Sequence, residues 1–314
     1  SNPFNKNFMH KLNSYTKHTT AEDVTEGLDL SGKVAFVTGC TNGIGTETMR
    51  VLAQRGAHVL ATGRTIKKVE SASQGMQGHI TPLALELTDL DSVNHCASTV
   101  NAMGLSPDIV ILNAGRDHFG DLELVSGIEA VFFANFLGHF VLMNNLLPLM
   151  LQKNQGRIVH VSSNSAYKEH KGPPQEGIDF DNLRGEGHYN APAAYGRSKL
   201  ANALFAFELA DRLAETGLTS NAIHPGSVFS NIAHAASDEV RQSLKDYAPN
   251  LLTTAQGAAT QVYVATSPDV SELSGVFFEV CNPIETAHLN FINDRAMGKK
   301  LWRVAEEMTK NHLV

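Results

Sequence analysis

The feature that most constrains this chain is an alternation of short β-rich runs with longer helical runs, which begins at Lys33. Strands that alternate with helices across short turns form parallel βαβ units. One helical run extends from about Gly127 to Lys153, with Pro148 as a kink or break near its end. The predicted strands are KVAFVTG, AHVLATG, HITPLALEL, DIVILNAG, RIVHVSS, LTSNAIHPG and GVFFEV. The sequence therefore predicts an α/β fold, a doubly wound Rossmann-type sheet of about seven parallel strands with helices on both faces.

The domain organisation follows from the same alternation, since no linker, internal repeat or low-complexity tract divides the chain. We expect residues 1–29 to form an N-terminal arm on the surface and residues 30–314 to form a single domain. Two polar regions, at about 164–192 and 227–254, follow predicted strands and interrupt the alternation. Ligands bind beside the carboxyl ends of strands in open parallel sheets. We therefore predict that both regions are substrate loops.

Composition narrows the class of protein. The formal net charge is -7 and no basic run is present, which argues against a nucleic-acid partner. The three widely spaced cysteines indicate neither a disulfide framework nor a zinc site, and no histidine spacing predicts a metal. We see neither a signal peptide nor a stretch of about 18 apolar residues, so we expect no membrane span and a reduced, cytoplasmic setting.

A glycine-rich turn, TGCTNGIG at 38–45, lies between the first predicted strand and the first long helix. Gly39 permits a tight turn, Gly43 lets the backbone approach a pyrophosphate, and Gly45 lets the helix pack close to the strand. A purely structural turn is the alternative, because a glycine triplet alone is a weak signal. The strand–turn–helix context favours nucleotide binding. The turn residues predicted to contact the cofactor are Gly39, Thr41, Asn42, Gly43, Ile44 and Gly45.

Arg64 decides which nucleotide is expected. NAD-binding folds often place an acidic residue at the end of the second strand, where it binds the ribose 2′-hydroxyl, whereas an arginine suits a 2′-phosphate. The second strand here ends in ATGRT at 61–65 and carries no acidic residue. We therefore predict NADP(H) as the preferred cofactor, with NAD(H) possible. The alternative is that Arg64 is a solvated surface charge.

Tyr195 and Lys199 are four residues apart at the start of a long predicted helix, which places them on one face. Ser163 ends the fifth predicted strand. A carbonyl that accepts a hydride must also receive a proton, and a free tyrosine, with a pKa near ~10, is a poor base at neutral pH. A neighbouring ammonium group favours the tyrosinate. These residues thus suit proton transfer to a carbonyl oxygen, with Ser163 holding that oxygen.

Together these motifs resemble the short-chain dehydrogenase/reductase family, in its compact single-domain form. The matching elements are TGCTNGIG, NAG at 113–115, Asn135, VSS at 161–163, YGRSK at 195–199 and HPG at 224–226. The resemblance implies that residues 30–314 form one dinucleotide-binding and catalytic domain. Tyr195 would be the acid/base, and Ser163 rather than Ser162 would orient the substrate. Lys199 would also bind the nicotinamide ribose, and Asn135 would hold a water that relays protons to Lys199.

The resemblance also implies further cofactor contacts. Asn113, Ala114 and Gly115 would line the adenosine side, and Pro225 and Gly226 would flank the nicotinamide. The remaining predicted contacts are Glu86, Leu87, Tyr195, Val228 and Ser230. Two of these depart from the family pattern: Glu86 stands where an aspartate is usual, and Ser230 where a threonine is usual.

A narrower resemblance concerns the second half of the chain. IDFDNLRGEGHYNAPAAYGRSKLANALFAFELADRL and the C-terminal KKLWRVAEEMT are similar to the retinol-dehydrogenase-like and WW-domain-oxidoreductase-like branch. The resemblance implies an NADP(H)-dependent oxidoreductase that interconverts a carbonyl and an alcohol on a bulky or lipophilic small molecule. A catalytically silent nucleotide-binding scaffold of the same fold is the alternative. Relatives commonly pair through the long helix, so its apolar stripe from Leu200 to Leu209 is either core or interface, and a homodimer or homotetramer is expected. His139 is predicted to pack or to form hydrogen bonds rather than bind a metal.

Overall fold

The computed structural model describes residues 11–116, 120–168, 177–228, 238, 239, 242, 251–289 and 291–314. Eight of the strands in these residues form one central sheet, and two form a separate hairpin. The strands are β1 (Val34–Val37), β2 (His58–Gly63), β3 (His79–Ala84), β4 (Ile109–Leu112), β5 (Leu124–Val125), β6 (Ile128–Glu129), β7 (Gly156–Val161), β8 (Leu218–His224), β9 (Phe277–Glu279) and β10 (Asn282–Pro283).

Helices connect most of the strands and cover the sheet. Single 3₁₀ turns occur at Asn164–Ala166, Phe180–Asn182, Pro268–Val270 and Lys310–His312. The α-helices are α1 (Ala21–Val24), α2 (Gly43–Gln54), α3 (Ile66–Ser73), α4 (Leu90–Met103), α5 (Ala130–Phe132), α6 (Gly138–Lys153), α7 (Ala191–Arg212), α8 (Thr254–Gly257), α9 (Ala259–Thr266) and α10 (Arg295–Thr309).

The order of the central sheet is β10-β9-β8-β7-β4-β1-β2-β3. Seven of its strands are parallel, and only β10 runs antiparallel, against β9. This confirms the predicted doubly wound parallel sheet and adds an edge strand that the sequence did not predict. Val280 and Cys281 make the β9–β10 turn with φ of 48° and 57°. Such backbone usually carries glycine or asparagine, so no local turn signal predicts this turn.

Hydrophobic cores lie on both faces of the sheet because side chains alternate along each strand. Phe36 on β1 joins a core with helices α4, α6, α7 and α10. Ala35 and Val37 on the same strand join a second core with α1, α2 and α9. The predicted covering of both faces is therefore confirmed. Parallel sheets need such double covering because neither face can meet water.

The helix predicted over 127–153 begins later and is not uniform. Ser126 and Gly127, with φ of 48° and 80°, form the turn of the β5–β6 hairpin instead. Between α5 and α6 the chain makes one π-helical turn, Phe133–Leu137, which contains Asn135. Pro148 lies inside α6 without ending it. π-helical turns are rare and often occur at functional sites. Their i→i+5 hydrogen bonds change the pairing of backbone groups within the helix.

The helical run Ala130–Lys153 is long and apolar enough to cross a membrane by length and composition. The expectation that the chain has no such stretch was therefore too strong. However, 94% of its apolar window is buried against the rest of the protein. Core packing accounts for this composition, so the run does not by itself indicate a membrane span.

The apolar stripe of α7 is buried within this one chain. Phe205 and Phe207 are each 2% exposed. Trp302 of α10 meets the Phe205 ring edge-on, with centroids 5.6 Å apart, and meets Phe140 of α6 at 5.0 Å. The stripe therefore belongs to the core. The predicted homodimer or homotetramer and the predicted division at residue 30 remain predictions.

Candidate active site

The predicted site residues follow three neighbouring parallel strands. The glycine turn follows β1, residues 113–115 follow β4, and Ser163 follows β7. These strands are adjacent in the order β1-β4-β7, with β8 next. Carboxyl ends of parallel strands meet at one edge of the sheet, so motifs that are distant in sequence lie side by side there.

The glycine turn has no room for side chains at two positions. Gly39 has a φ of 73°, and a Cβ there would lie 2.8 Å from the Cα of Ala114. A Cβ on Gly45 would overlap the carbonyl oxygen of Gly39 and lie 2.6 Å from Nδ2 of Asn113. The turn is therefore packed directly against the NAG segment. Asn42 precedes α2 and makes no side-chain capping bond, so it leaves the amides of the first turn to other acceptors.

A cavity of about 390 Å³ opens beside this turn. Thr41, Asn42 and Gly43 line it together with Arg50. Ile44 is 3% exposed and belongs to the hydrophobic core that contains α1, α2 and α9. A helix N-terminus that opens on a cavity is a suitable place for a phosphate, because its N–H groups point outward and its dipole favours negative charge.

Thr38, at the end of β1, connects the turn to the helix that carries Asn135. Its Oγ1 accepts hydrogen bonds from the backbone amides of Asn113 and Ala114, each 2.9 Å long. A hydroxyl has two lone pairs and one proton, so the proton of Thr38 is left to donate to Nε2 of His139, 2.9 Å away. His139 must then carry its own proton on Nδ1 and donate to the main-chain oxygen of Asn135, at 3.0 Å.

His139 is 2% exposed, and burial lowers its pKa to about 4. The positive charge of Lys199 acts in the same direction, while the hydrogen bond to Asn135 opposes it. The imidazole is therefore neutral at neutral pH. This confirms the prediction that His139 forms hydrogen bonds.

Both side-chain groups of Asn135 are used within the protein. Its Oδ1 accepts from the amide of Arg116 at 2.7 Å. Its Nδ2 lies 3.2 Å from the carbonyl oxygen of Arg116 and 3.0 Å from Oγ of Ser198. These bonds fix Asn135 against α7. Its role as a holder of water stays a proposal.

Tyr195 and Lys199 lie one turn apart on α7, on one face as the spacing predicted. Lys199 is 4% exposed, and its Nζ donates to the carbonyl oxygen of Val161 at 3.1 Å. The same Nζ is 5.6 Å from the centre of the Tyr195 ring. A Cβ on Gly115 would lie 3.3 Å from Nζ of Lys199 and 3.8 Å from Oδ1 of Asn135. The fold thus brings the predicted base, its lysine and Asn135 together.

Ser162 and Ser163 have different surroundings. Ser162 is 1% exposed, and its hydroxyl donates to the carbonyl oxygen of Lys199 at 2.8 Å. Ser163 is 8% exposed; its Oγ accepts from the amide of Ser165 at 3.1 Å and donates to Oγ of the same residue at 3.1 Å. The Ser162 proton is therefore committed to the backbone of α7. Ser163 is the more exposed of the two and donates to a side-chain hydroxyl, which can rotate away; this supports its choice as the candidate that meets a substrate.

Arg64 and Glu86 contact each other at the far end of the sheet. Nε of Arg64 lies 3.4 Å from Oε2 of Glu86, and the Arg64 side chain is 67% exposed. The sequence predicts the two residues as separate cofactor contacts, with Arg64 binding the 2′-phosphate. Leu87 is only 9% exposed and packs where α6 begins, against Gly138.

The PG turn after β8 borders a second cavity, of about 260 Å³, which Asn164 and His224 also line. Val228 is 2% exposed and pairs with Leu252 in a single bridge. Pro225 and Gly226 thus line the same cavity as Asn164, the residue that follows Ser163. Ser230 and most of the predicted loop at 227–254 lie outside the described residues.

Sequence reasoning missed several residues that organise this edge. Gln261 of α9 donates to Oδ1 of Asn113 at 3.1 Å and to Oγ1 of Thr48 at 2.8 Å. The i,i+4 spacing of Asn135 and His139 on one helix face was a signal that could have predicted their contact. No local pattern could have predicted Thr38 or Gln261, because their partners are distant in sequence.

Comparison with known proteins agrees with the geometry. Residues 33–174 match the short chain dehydrogenase family model. The chain is 36% identical over 303 residues to the Brassica napus chloroplastic short-chain dehydrogenase TIC 32 A, covering 92% of each. It is 35% identical to mouse retinol dehydrogenase 12 over 293 residues, 90% of this chain and 88% of the relative. It is 31% identical to the human WW domain-containing oxidoreductase over 308 residues, 95% of this chain and 73% of the relative.

Solved structures give the same result. A structure of an uncharacterised Mycobacterium paratuberculosis protein matches with a TM-score of 0.71 at 28% identity, covering 91% of this chain and 97% of the other. An NAD(P)-dependent gluconate 5-dehydrogenase from Beutenbergia cavernae, with NADP bound at low occupancy, matches with a TM-score of 0.62 at 26% identity, covering 80% and 96%.

The cytoplasmic location predicted from the sequence is wrong, because the Brassica relative, aligned over 92% of both chains, is chloroplastic. Three widely spaced cysteines bear on the redox environment and do not identify a compartment. The resemblance to the retinol-dehydrogenase and WW-domain-oxidoreductase branch is confirmed. The chain belongs to the short-chain dehydrogenase family of oxidoreductases.

Proposed function

We propose that the protein is an NADP(H)-dependent oxidoreductase that interconverts a carbonyl and an alcohol, with Tyr195 as the general acid/base. The observation that carries the proposal is the position of Lys199. Its Nζ is buried, donates to the carbonyl oxygen of Val161, and lies 5.6 Å from the Tyr195 ring centre. A buried ammonium beside a tyrosine favours the ionised phenol and thereby suits it to proton transfer.

The glycine turn fits a dinucleotide. Gly39 and Gly45 leave no space for side chains, and the uncapped start of α2 opens on the cavity of about 390 Å³. The predicted turn contacts would bind the pyrophosphate there through backbone amides. When bound, the nicotinamide supplies the hydride for reduction or accepts it in oxidation. Its neighbours would include Pro225 and Gly226.

The protein's own residues move the proton. In reduction the Tyr195 hydroxyl donates to the substrate oxygen, and in oxidation its oxygen accepts the alcohol proton. Ser163 would hold the same oxygen through its hydroxyl. Lys199 would stabilise the tyrosinate, and Asn135 would connect Lys199 to solvent through a water. His139, neutral and held by Thr38, would keep the Asn135 backbone in position.

The preference for NADP(H) is supported by Arg64, because β2 ends without the acidic residue that favours NAD. One solved relative holds NADP and is described as NAD(P)-dependent. Glu86 opposes this preference, since its carboxylate contacts Arg64 at 3.4 Å. A 2′-phosphate would compete with this half-buried carboxylate for the guanidinium.

The proposed substrate is a bulky, lipophilic carbonyl or alcohol. The name of retinol dehydrogenase 12 indicates a substrate of this kind, retinol. This relative aligns with nine-tenths of the chain. Tyr195 follows Ser163 by 32 positions, and the intervening segment is long enough to add walls to a substrate pocket.

The test is turnover of a panel of aldehydes and ketones, graded in size and lipophilicity, with NADPH, and of the matching alcohols with NADP⁺. Tyr195→Phe should lower kcat/KM by about 100-fold to 10,000-fold and leave the Kd for NADPH, measured by fluorescence, nearly unchanged. Tyr15→Phe, which lies on the α9 side of the sheet, is the matched control.

Retained turnover in Tyr195→Phe would refute the assignment of the acid/base. If the unaltered protein binds NADPH and reduces no member of the panel, the catalytically silent scaffold becomes the better description.

A further inference from the structure

We propose that a buried ion pair, Glu129 with Arg197, is a positioning device for the reaction site. It joins the helix of Tyr195 to the helix of Asn135 and to the segment at 177–190 that precedes α7. The inference rests on the proposed function, because it explains how the catalytic groups keep their relative positions. Neither residue contacts a reacting atom in this scheme.

The pair is almost completely removed from water. Glu129 is 0% exposed and Arg197 is 6% exposed. Nη2 of Arg197 lies 3.6 Å from Oε2 of Glu129. The separation is too long for a hydrogen bond but close enough for strong attraction at low dielectric. A buried ion pair is a poor source of net stability, because desolvation offsets the attraction. What the pair contributes instead is a constraint on the positions of the groups that contact it.

The Glu129 carboxylate holds the start of the helix that carries Asn135. It accepts from the amide of Val131 at 3.1 Å and from the amide of Phe132 at 2.7 Å. These are the second and third residues of α5, and the π-helical turn with Asn135 follows directly. Glu129 also accepts from the Tyr189 hydroxyl at 2.8 Å. Burial and this carboxylate raise the pKa of Tyr189, which keeps the phenol protonated and therefore a donor.

Arg197 lies two residues after Tyr195 on α7. Its Nη1 donates to the carbonyl oxygen of Asn182 at 3.1 Å, and its guanidinium carbon lies 5.3 Å from the centre of the Phe132 ring. Burial lowers the pKa of Arg197 while Glu129 raises it. An arginine stays charged at all physiological pH values. The guanidinium of Arg197 therefore remains a cation, and the neighbouring groups hold it in place.

The segment at 177–190 is thus attached at two side-chain points. Asn182 bonds to Arg197, and Tyr189 bonds to Glu129. A backbone bond from the amide of Glu129 to Leu183, 3.0 Å long, reinforces them. This segment belongs to the predicted substrate loop and leads into the turn of α7 that carries Tyr195. Movement of Glu129 or Arg197 would therefore shift both sides of the site at once.

The same segment contains a natural control. Arg184 and Glu186 form an ion pair of 2.8 Å, with side chains that are 52% and 59% exposed. Exposed pairs of this kind contribute little to stability, because water and salt screen them. Comparing the two pairs separates the effect of a buried anchor from that of any charge change in this segment.

The experiment compares Glu129→Gln, Arg197→Met, Arg197→Lys and Tyr189→Phe with Glu186→Gln in the full chain. For each variant, amide hydrogen exchange over 177–190, Kd for NADPH, Tm, and kcat and KM for the best carbonyl substrate are measured. Glu129→Gln and Arg197→Met should speed exchange and lower kcat by about tenfold or more each. The Kd for NADPH should stay within about twofold. Arg197→Lys should recover part of kcat, since it keeps the charge, and Glu186→Gln should match the unaltered protein.

A fall in Tm without a change in kcat or exchange would overturn the proposal, because the pair would then be only structural. If the charge variants do not fold, Tyr189→Phe provides the test, because it keeps both charges and removes only the hydrogen bond from Tyr189 to Glu129. Unchanged hydrogen exchange over 177–190 in Tyr189→Phe would also refute the proposal that the ion pair holds this segment. If the unaltered protein reduces no substrate, the proposed function fails separately. The exchange data then still decide whether the pair holds the segment.

Discussion

The two ends of the proposed cofactor cleft are built in opposite ways. At the reaction end, Asn135, His139 and Lys199 are 0%, 2% and 4% exposed, and each makes hydrogen bonds within the protein. At the adenosine end, the Arg64 side chain is 67% exposed, and its Nε lies 3.4 Å from Oε2 of Glu86. The reaction end is part of the core, whereas the adenosine end lies on the surface.

This difference indicates which properties of the protein are hard to change. A group in the core is positioned by many neighbours, so its geometry is as rigid as the packing around it. A surface charge is screened by water and can adopt several rotamers. We therefore expect the chemistry to be sensitive to small changes in the core. Substitutions at the adenosine end should change cofactor preference by a smaller amount, and that change should depend on salt concentration.

The largest effect is expected at the glycine turn, where the two ends meet. Gly45→Ala introduces a Cβ that overlaps the Gly39 carbonyl oxygen and lies 2.6 Å from Nδ2 of Asn113. We expect a loss of about 3 kcal/mol in unfolding free energy, measured by urea denaturation, together with loss of NADPH binding.

Gly298→Ala is the matched control. Gly298 lies within α10, and its added Cβ would meet Leu204 only at ordinary contacts of 3.6 Å to 3.9 Å. Because alanine favours helix, this variant should be more stable by up to about 1 kcal/mol. Equal effects from the two substitutions would show that the turn is not tightly packed.

The next effect concerns pH and the buried histidines of the reaction half. Burial lowers the pKa of His139 to about 4 and of His160 to about 3. The unfolded chain binds these protons near pH 6.5, whereas the folded chain does not. Stability is therefore highest above that pH and falls as the pH drops below it, by up to about 1.4 kcal/mol per pH unit for each histidine.

Replacing both histidines, as His139→Gln with His160→Gln, should flatten this acid-side slope in urea denaturation between pH 5 and pH 7.5. His188→Gln, at an exposed position, should leave the slope as it is. An unchanged slope in the double variant would mean that these histidines are not buried neutral groups.

The smallest effect is expected at the adenosine end. Arg64→Ala should weaken NADP(H) binding by about tenfold or less, because the side chain is exposed, and leave NAD(H) within about twofold. The difference should shrink as salt is raised. Glu86→Gln should act in the opposite direction, since it frees the guanidinium for a phosphate. Titrations with both cofactors measure the ratio, and an unaltered ratio in Arg64→Ala would refute the assignment.

The agreement between sequence and structure depends on how local each signal is. The seven parallel strands were predictable because apolar runs and the turns between them are patterns of consecutive residues. Tyr195 and Lys199 were predictable because helix geometry fixes an i,i+4 pair. The β9–β10 turn, the π-helical turn at Phe133–Leu137 and the late start of α5 had no such local signal.

The sequence by itself determined the sheet, the glycine turn and the identity of the groups that can move a proton. It did so because strand alternation, helix periodicity and side-chain chemistry are properties of short segments. Only the tertiary structure decided which groups touch. It placed His139 between Thr38 and Asn135, paired Arg64 with Glu86, and buried Glu129 against Arg197. Apart from the bond between His139 and Asn135, these contacts join residues 22 to 101 positions apart. Their energies depend on burial, which exists only once the chain has folded.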